Sequence, residues 1–228
     1  MAKLTEDFLQ HVAKFEGGLS ADPRDNASSF PSNYLMKSGK FKGLPVHTNK
    51  GVTYQTWVTY ARKKGFTPTG DNFVAMTKAQ WFDIAKTLYW DASWCDRIDS
   101  QGVAEILFEA RWGGGFATMM GDLQRYLNLK GAKPTLVVDR AIGEKSVKAI
   151  NEFTKNVNNE KDLIRYLTDK RLEYLKTLGD WSWAGNGWTN RVKRMLDRGL
   201  AMAGGTAAGI SIVGLLAISA IVYTILKK

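Results

Sequence analysis

The sequence predicts a mainly α-helical chain that ends in a single apolar span. Three observations predict it. Apolar residues recur at helical spacing through most of the chain, strand-like alternation is absent, and residues 199–226 contain no charged side chain. The chain has 228 residues, of which 44% are hydrophobic, so it can bury a substantial core.

The first helix is read from Leu4, Phe8, His11, Val12 and Phe15, with Thr5 as its N-cap. Gly17-Gly18 should stop it near Glu16. A carboxyl at a helix C-terminus meets the negative end of the macrodipole, and partial burial also favours the neutral acid. Both effects suit a proton donor. Residues 26–47 read as a long loop with scattered aromatics and room for a short hairpin, of a length that is usually functional or disordered. Further helices are expected from Thr53 and from Thr77, over 101–112 up to the Gly113-Gly114-Gly115 break, and over 119–129, 146–157 and 163–178. Trp181, Trp183 and Trp188 lie in a polar stretch and suggest a cleft rim or an interfacial contact.

The apolar segment 199–228 is long enough for a transmembrane helix. Its small residues Gly204, Gly205, Ala208 and Gly209 would allow close helix approach and self-association. Arg191, Lys193, Arg194 and Arg198 precede it and Lys227-Lys228 follow, so charge does not orient it. No apolar leader is visible in Met-Ala-Lys-Leu-Thr-Glu-Asp. The expected location is therefore membrane-anchored, in a cell envelope or a phage particle.

Net charge is +10, which suits a polyanionic partner. No basic block with interleaved aromatics supports nucleic acid as that partner. Cys95 is the one cysteine, so an intrachain disulfide is excluded. His11 and His47 form no metal-ligand pattern, and no metal or cofactor is expected.

Chemistry concentrates in two stretches. Glu16-Gly-Gly-Leu-Ser-Ala-Asp22-Pro-Arg-Asp25 holds three acids, and His47-Thr-Asn-Lys-Gly-Val-Thr53 follows the long loop. Glycosidic cleavage needs a proton donor and a second group that holds water or stabilises positive charge. These stretches resemble the glycoside hydrolase family 108 lysozymes of bacteria and phages. Their pattern runs Glu-Gly-Gly, Asp-Pro-x-Asp, Gly-Gly-x-Thr-Asn-x-Gly-Ile-Thr. Gln101 to Gly115 is similar to the family's apolar helix and turn, and Leu123-Gln with Asp139-Arg-Ala-Ile-Gly-Glu-Lys-Ser to its peptidoglycan-binding segment.

The resemblance implies a lysozyme-like half over residues 1–112, a helical peptidoglycan-binding-like half over 113–198, and then the anchor. It implies cleavage of the β-1,4 bond between N-acetylmuramic acid and N-acetylglucosamine by an endolysin or virion lysozyme of phage type. Glu16 is then the catalytic acid, with Asp25 and Thr48 beside it. Asp22, His47, Asn49, Thr53 and Trp112 are placed around the glycan. Asp22 and Thr53 also suit turn and cap roles. The family's Gly-Gly is absent here, residues 26–47 standing in its place. A non-catalytic, membrane-tethered peptidoglycan-binding module is the alternative.

Overall fold

The computed structural model describes residues 1–14 and 16–204, in two compact units. One is Leu4–Ala92; the other joins Met1–Lys3 to the chain from Ser93 onward.

In the first unit α1 (Glu6–Ala13) starts at Thr5, whose hydroxyl accepts from Phe8 N at 3.2 Å, a cap worth about 1 kcal/mol. Phe8 and Val12 are buried, as their spacing predicts, and Leu9 is buried with them; Phe15 lies outside the described residues. Three two-residue strands follow, β1 (Leu19–Ser20), β2 (Thr48–Asn49) and β3 (Val52–Thr53), in an antiparallel sheet of that order. Two residues are too few for a period of two to register in sequence, which is why no strand was expected. Thr53 caps α2 (Tyr54–Lys64), and Gly65 closes it in the left-handed region. The short α3 (Gly70–Val74) and α4 (Lys78–Ile84) each open with a capping box, Thr69 with Asn72 and Thr77 with Gln80. A π-helical turn, Ala85–Trp90, continues α4. The core here is aromatic. Trp57 packs between Tyr60, Phe66 and Phe73 at centroid distances of 5.7, 5.4 and 6.0 Å, and its indole donates to Asn72 Oδ1 at 2.8 Å. Trp57, Trp81 and Trp90 are all buried.

In the second unit α5 (Gln101–Trp112) is buried from Gln101 to Ala110. Around it lie α6 (Phe116–Leu129), α7 (Glu144–Thr154), α8 (Val157–Lys176) and α9 (Trp181–Met202). A helix covered on every side must pair its charges. Glu105 takes Arg198 at 2.6 and 3.2 Å, and Glu109 takes Arg191 at 2.8 and 3.0 Å, so two bidentate pairs join α5 to α9. Arg171 of α8 donates to Gly113 O at 3.0 Å and to Gly114 O, satisfying carbonyls where α5 ends. Burial pulls its guanidinium down to about 10, so it stays charged at neutral pH. The helix α9 was not expected. Glycines and asparagine at 185–190 lower the helix propensity of its first turns, but Val192, Met195, Gly199 and Met202 fall on one buried face.

That face corrects the reading of the C-terminus. The expected transmembrane helix and single-pass membrane anchoring are not supported: among the described residues no helix is long and apolar enough to cross a membrane. The segment was expected to begin at Gly199, yet Gly199 belongs to α9 and meets α5 at Gly102. A Cβ on Gly102 would lie 3.0 Å from Gly199 Cα and 3.0 Å from Ile164 Cδ1. Gly204, assigned to a self-association face, instead donates its N–H to Glu160 Oε2 at 2.8 Å. The rest of that expectation, residues 205–228, lies outside the described residues.

Gly102→Ala should therefore push α5, α8 and α9 apart and cost about 1–3 kcal/mol. A urea denaturation midpoint unchanged from the parent would contradict that packing.

Candidate active site

The candidate site is built on the β2–β3 hairpin of the first unit. Its turn is Lys50-Gly51, with φ of 50° and 75°, the two positive values of a type I′ turn. Trp81 Nε1 donates to Lys50 O at 2.8 Å and Lys50 N to Gly18 O at 3.1 Å, so the turn is fixed from both sides. Thr48 faces Thr53 across the hairpin, and Ser20 faces Thr48 on the other side. Paired residues point the same way, so three hydroxyls line one face of the sheet. Leu19, Asn49 and Val52 take the opposite face.

Glu16 follows the last turn of α1, with its N–H on Ala13 O at 3.1 Å. Its side chain is half-buried and lies against the hairpin turn. A Cβ on Gly51 would fall 2.0 Å from Glu16 Oε2 and 2.5 Å from its carboxyl carbon. Position 51 needs glycine for its positive φ, and the Glu16 carboxyl lies in the space a Cβ would take, so a side chain there would move the carboxyl aside.

The other acids are held differently. Asp22 accepts from Arg24 N and Nε at 3.0 Å each and pairs with Arg24 Nη2 at 2.6 Å. Those hydrogen bonds hold its carboxyl down at about 2, so it is ionised at any working pH. Asp25 caps the 3₁₀ turn Asn26–Ser29 with Oδ1, 2.9 Å from Ala27 N. Its Oδ2 sits 4.0 Å from His47 Nδ1, beyond hydrogen-bond reach. His47 is 1% exposed. Its Nε2 lies 3.1 Å from Asp22 O, which can only accept, so Nε2 carries the hydrogen. With the hydrogen on Nε2, Nδ1 is the acceptor for the Thr48 hydroxyl, 3.0 Å away. His47 thereby ties the acidic loop to β2 and orients the Thr48 oxygen.

Two further positions hold the frame. Asn49 is buried and donates to Phe73 O at 2.8 Å, securing α3. Thr53 accepts from Thr56 N at 3.2 Å as the α2 cap. So the structure brings Glu16, Asp22, Asp25, His47, Thr48, Asn49 and Thr53 together around one small sheet. Trp112 belongs to the second unit, where it stacks on Phe108 at 5.8 Å. Sequence reasoning passed over Gly51, Trp81 and Arg24. Gly51 was the available signal for the turn, and it was a weak one, because the residue before it is Lys50, a type that rarely adopts the positive φ of 50° found there. Among the described residues no group of three or more His, Cys, Asp or Glu is placed to hold a metal ion.

Gly51→Ala should displace the Glu16 carboxyl and abolish most activity; activity within about twofold of the parent would contradict the contact. Asp22 should titrate near 2, and Arg24→Ala should return it toward the ordinary value of 3.8, as followed by carboxyl-carbon NMR. Because the folded value is depressed, this contribution to loop stability is present above pH 3.8 and is lost as pH falls through 2.

Residues 9–115 match the family model described as Glycosyl hydrolase 108. A structure of SagA from Brucella abortus is similar, with a TM-score of 0.64 and 26% identity over 88% of this chain and 96% of that one. No curated protein matches by sequence. The segment 9–115 belongs to the glycosyl hydrolase 108 family, and the chain is a glycoside hydrolase.

Proposed function

We propose that the chain is a peptidoglycan hydrolase that cleaves the β-1,4 bond between N-acetylmuramic acid and N-acetylglucosamine, with Glu16 as the acid. The observation that carries this reading is the seating of the Glu16 carboxyl on the Lys50-Gly51 turn, the turn of the hairpin that also carries Thr48. Glu16 gives its proton to the glycosidic oxygen as the bond from C1 breaks. A water adds to C1 and loses its proton to a carboxylate. Asp25 is the second acid of the reading, because its cap uses one oxygen and leaves the other toward His47. The Thr48 hydroxyl, turned by His47, offers its oxygen lone pairs to that water. Asp22 stays ionised and builds the loop.

The net charge of +10 supports an anionic wall polymer as substrate. In the same reading the helices over 113–198 form a half that binds peptidoglycan, and the enzyme is a lytic lysozyme of the bacterial and phage kind that the resemblance covers.

Glu16→Gln should lower the clearing of purified peptidoglycan at least about 100-fold while sedimentation with the wall is retained. Clearing at the parent rate would remove Glu16 from the mechanism. Asp25→Asn should lower it by a smaller factor, on the order of 10-fold or more, with Tm little changed.

A further inference from the structure

Residues 32–46, expected to be mostly loop, form a second hairpin rooted directly in the site. Ser32 N donates to Val46 O and Val46 N to Tyr34 O, both at 2.8 Å; Met36 N donates to Leu44 O and Gly43 N to Met36 O, both at 2.9 Å. The returning arm runs straight into His47 and Thr48. The tip, Lys37-Ser-Gly-Lys-Phe-Lys42, carries three lysines and no acid. One of them, Lys40, is close enough to Asp22 to help hold that carboxyl ionised.

At the base of the tip is an open groove of about 450 Å³, lined by Tyr34, Leu35, Met36, Lys37, Lys42 and Asp71 among others. Its volume is in the range of ligand sites. Both signs of charge line it. Lys37 lies 5.2 Å from the Tyr34 ring centroid, and the Tyr34 hydroxyl and, more weakly, Asp71 favour its charged form. Leu35 is 53% exposed, an apolar contact with no cover in its own unit.

We propose that this groove binds the peptide side chain of the peptidoglycan strand cleaved at Glu16. The inference rests on the hydrolase reading above. Each muramic acid can carry a short peptide with several carboxylates, an amine and small aliphatic side chains. Lys37 and Lys42 match the carboxylates, Asp71 the amine, and Leu35 with Met36 the methyl and methylene groups. A polyanion of one sign, whether a phosphate polymer, a nucleic acid or an anionic bilayer, would meet Asp71 as a repulsive charge. The hairpin whose residues line the groove continues directly into His47 and Thr48, which ties the groove to the site by the chain itself.

The test uses the full chain and two substrates, intact peptidoglycan and glycan strands stripped of peptide by an amidase. Lys37→Ala/Lys42→Ala should lower cleavage of intact peptidoglycan about tenfold, leave the stripped strands at the parent rate, and leave Tm unchanged. Lys37→Arg/Lys42→Arg should restore most of the loss. In parallel, the free tetrapeptide L-Ala-γ-D-Glu-diaminopimelate-D-Ala is titrated into Glu16→Gln by NMR. It should shift resonances of residues 33–43 and 71, and the double alanine change should weaken it about tenfold. Equal losses on both substrates, undiminished peptide binding, or a preference for anionic vesicles or phosphate polymer over the peptide would overturn the proposal. Failure of the parent chain to cleave either substrate would instead overturn the hydrolase reading, while the titration still reports on the groove.

Discussion

The site depends on a missing side chain. Position 51 holds the second residue of a two-residue turn, and the space a Cβ would fill is taken by the carboxyl of Glu16. A carboxyl that must release and recover a proton at a defined point needs a fixed seat. Here the seat is backbone, the stiffest surface available, and Trp81 and Gly18 hold that backbone by hydrogen bonds. Leaving a helix end followed by two glycines, Glu16 could point many ways; the hairpin fixes it. The acid and the turn it rests on lie 35 residues apart in sequence and are brought together by six paired strand residues.

Around that contact each neighbouring polar group has a separate task. Asp22 is neutralised by Arg24 and serves the turn, so one carboxylate near the site is removed from competition for protons. His47 is buried and spends one nitrogen on the Asp22 carbonyl and the other on Thr48. Asn49 faces the opposite side of the sheet and joins it to α3. A motif that reads as a row of equivalent polar residues thus divides by strand alternation, Thr48 toward one face and His47 and Asn49 into the protein.

Much of this was legible in the sequence. Thr5, Thr53 and Thr77 mark helix starts by cap chemistry, and α5 is a clean apolar run ending in glycines. The acids of 16–25 and the Thr-Asn-Lys-Gly-Val-Thr stretch pointed to the site. The strands were invisible because two residues carry no period, and α3 because five carry little more. The last turn of α9, residues 199–202, was misassigned because apolarity was read without its face. Val192, Met195, Gly199 and Met202 form a helix stripe that begins among arginines, and two of those arginines pair with α5 glutamates. Glycine at 199 reads as a membrane-packing residue in sequence; in the structure it admits the α5 backbone at Gly102.

The most direct test of the account is a crystal structure of Glu16→Gln with a peptidoglycan glycan fragment bound. The account predicts a glycosidic oxygen about 2.6–3.2 Å from the amide at position 16, with the sugar ring over the Ser20, Thr48 and Thr53 face of the sheet. A fragment bound elsewhere, with position 16 facing solvent and the Lys50-Gly51 turn untouched, would contradict it.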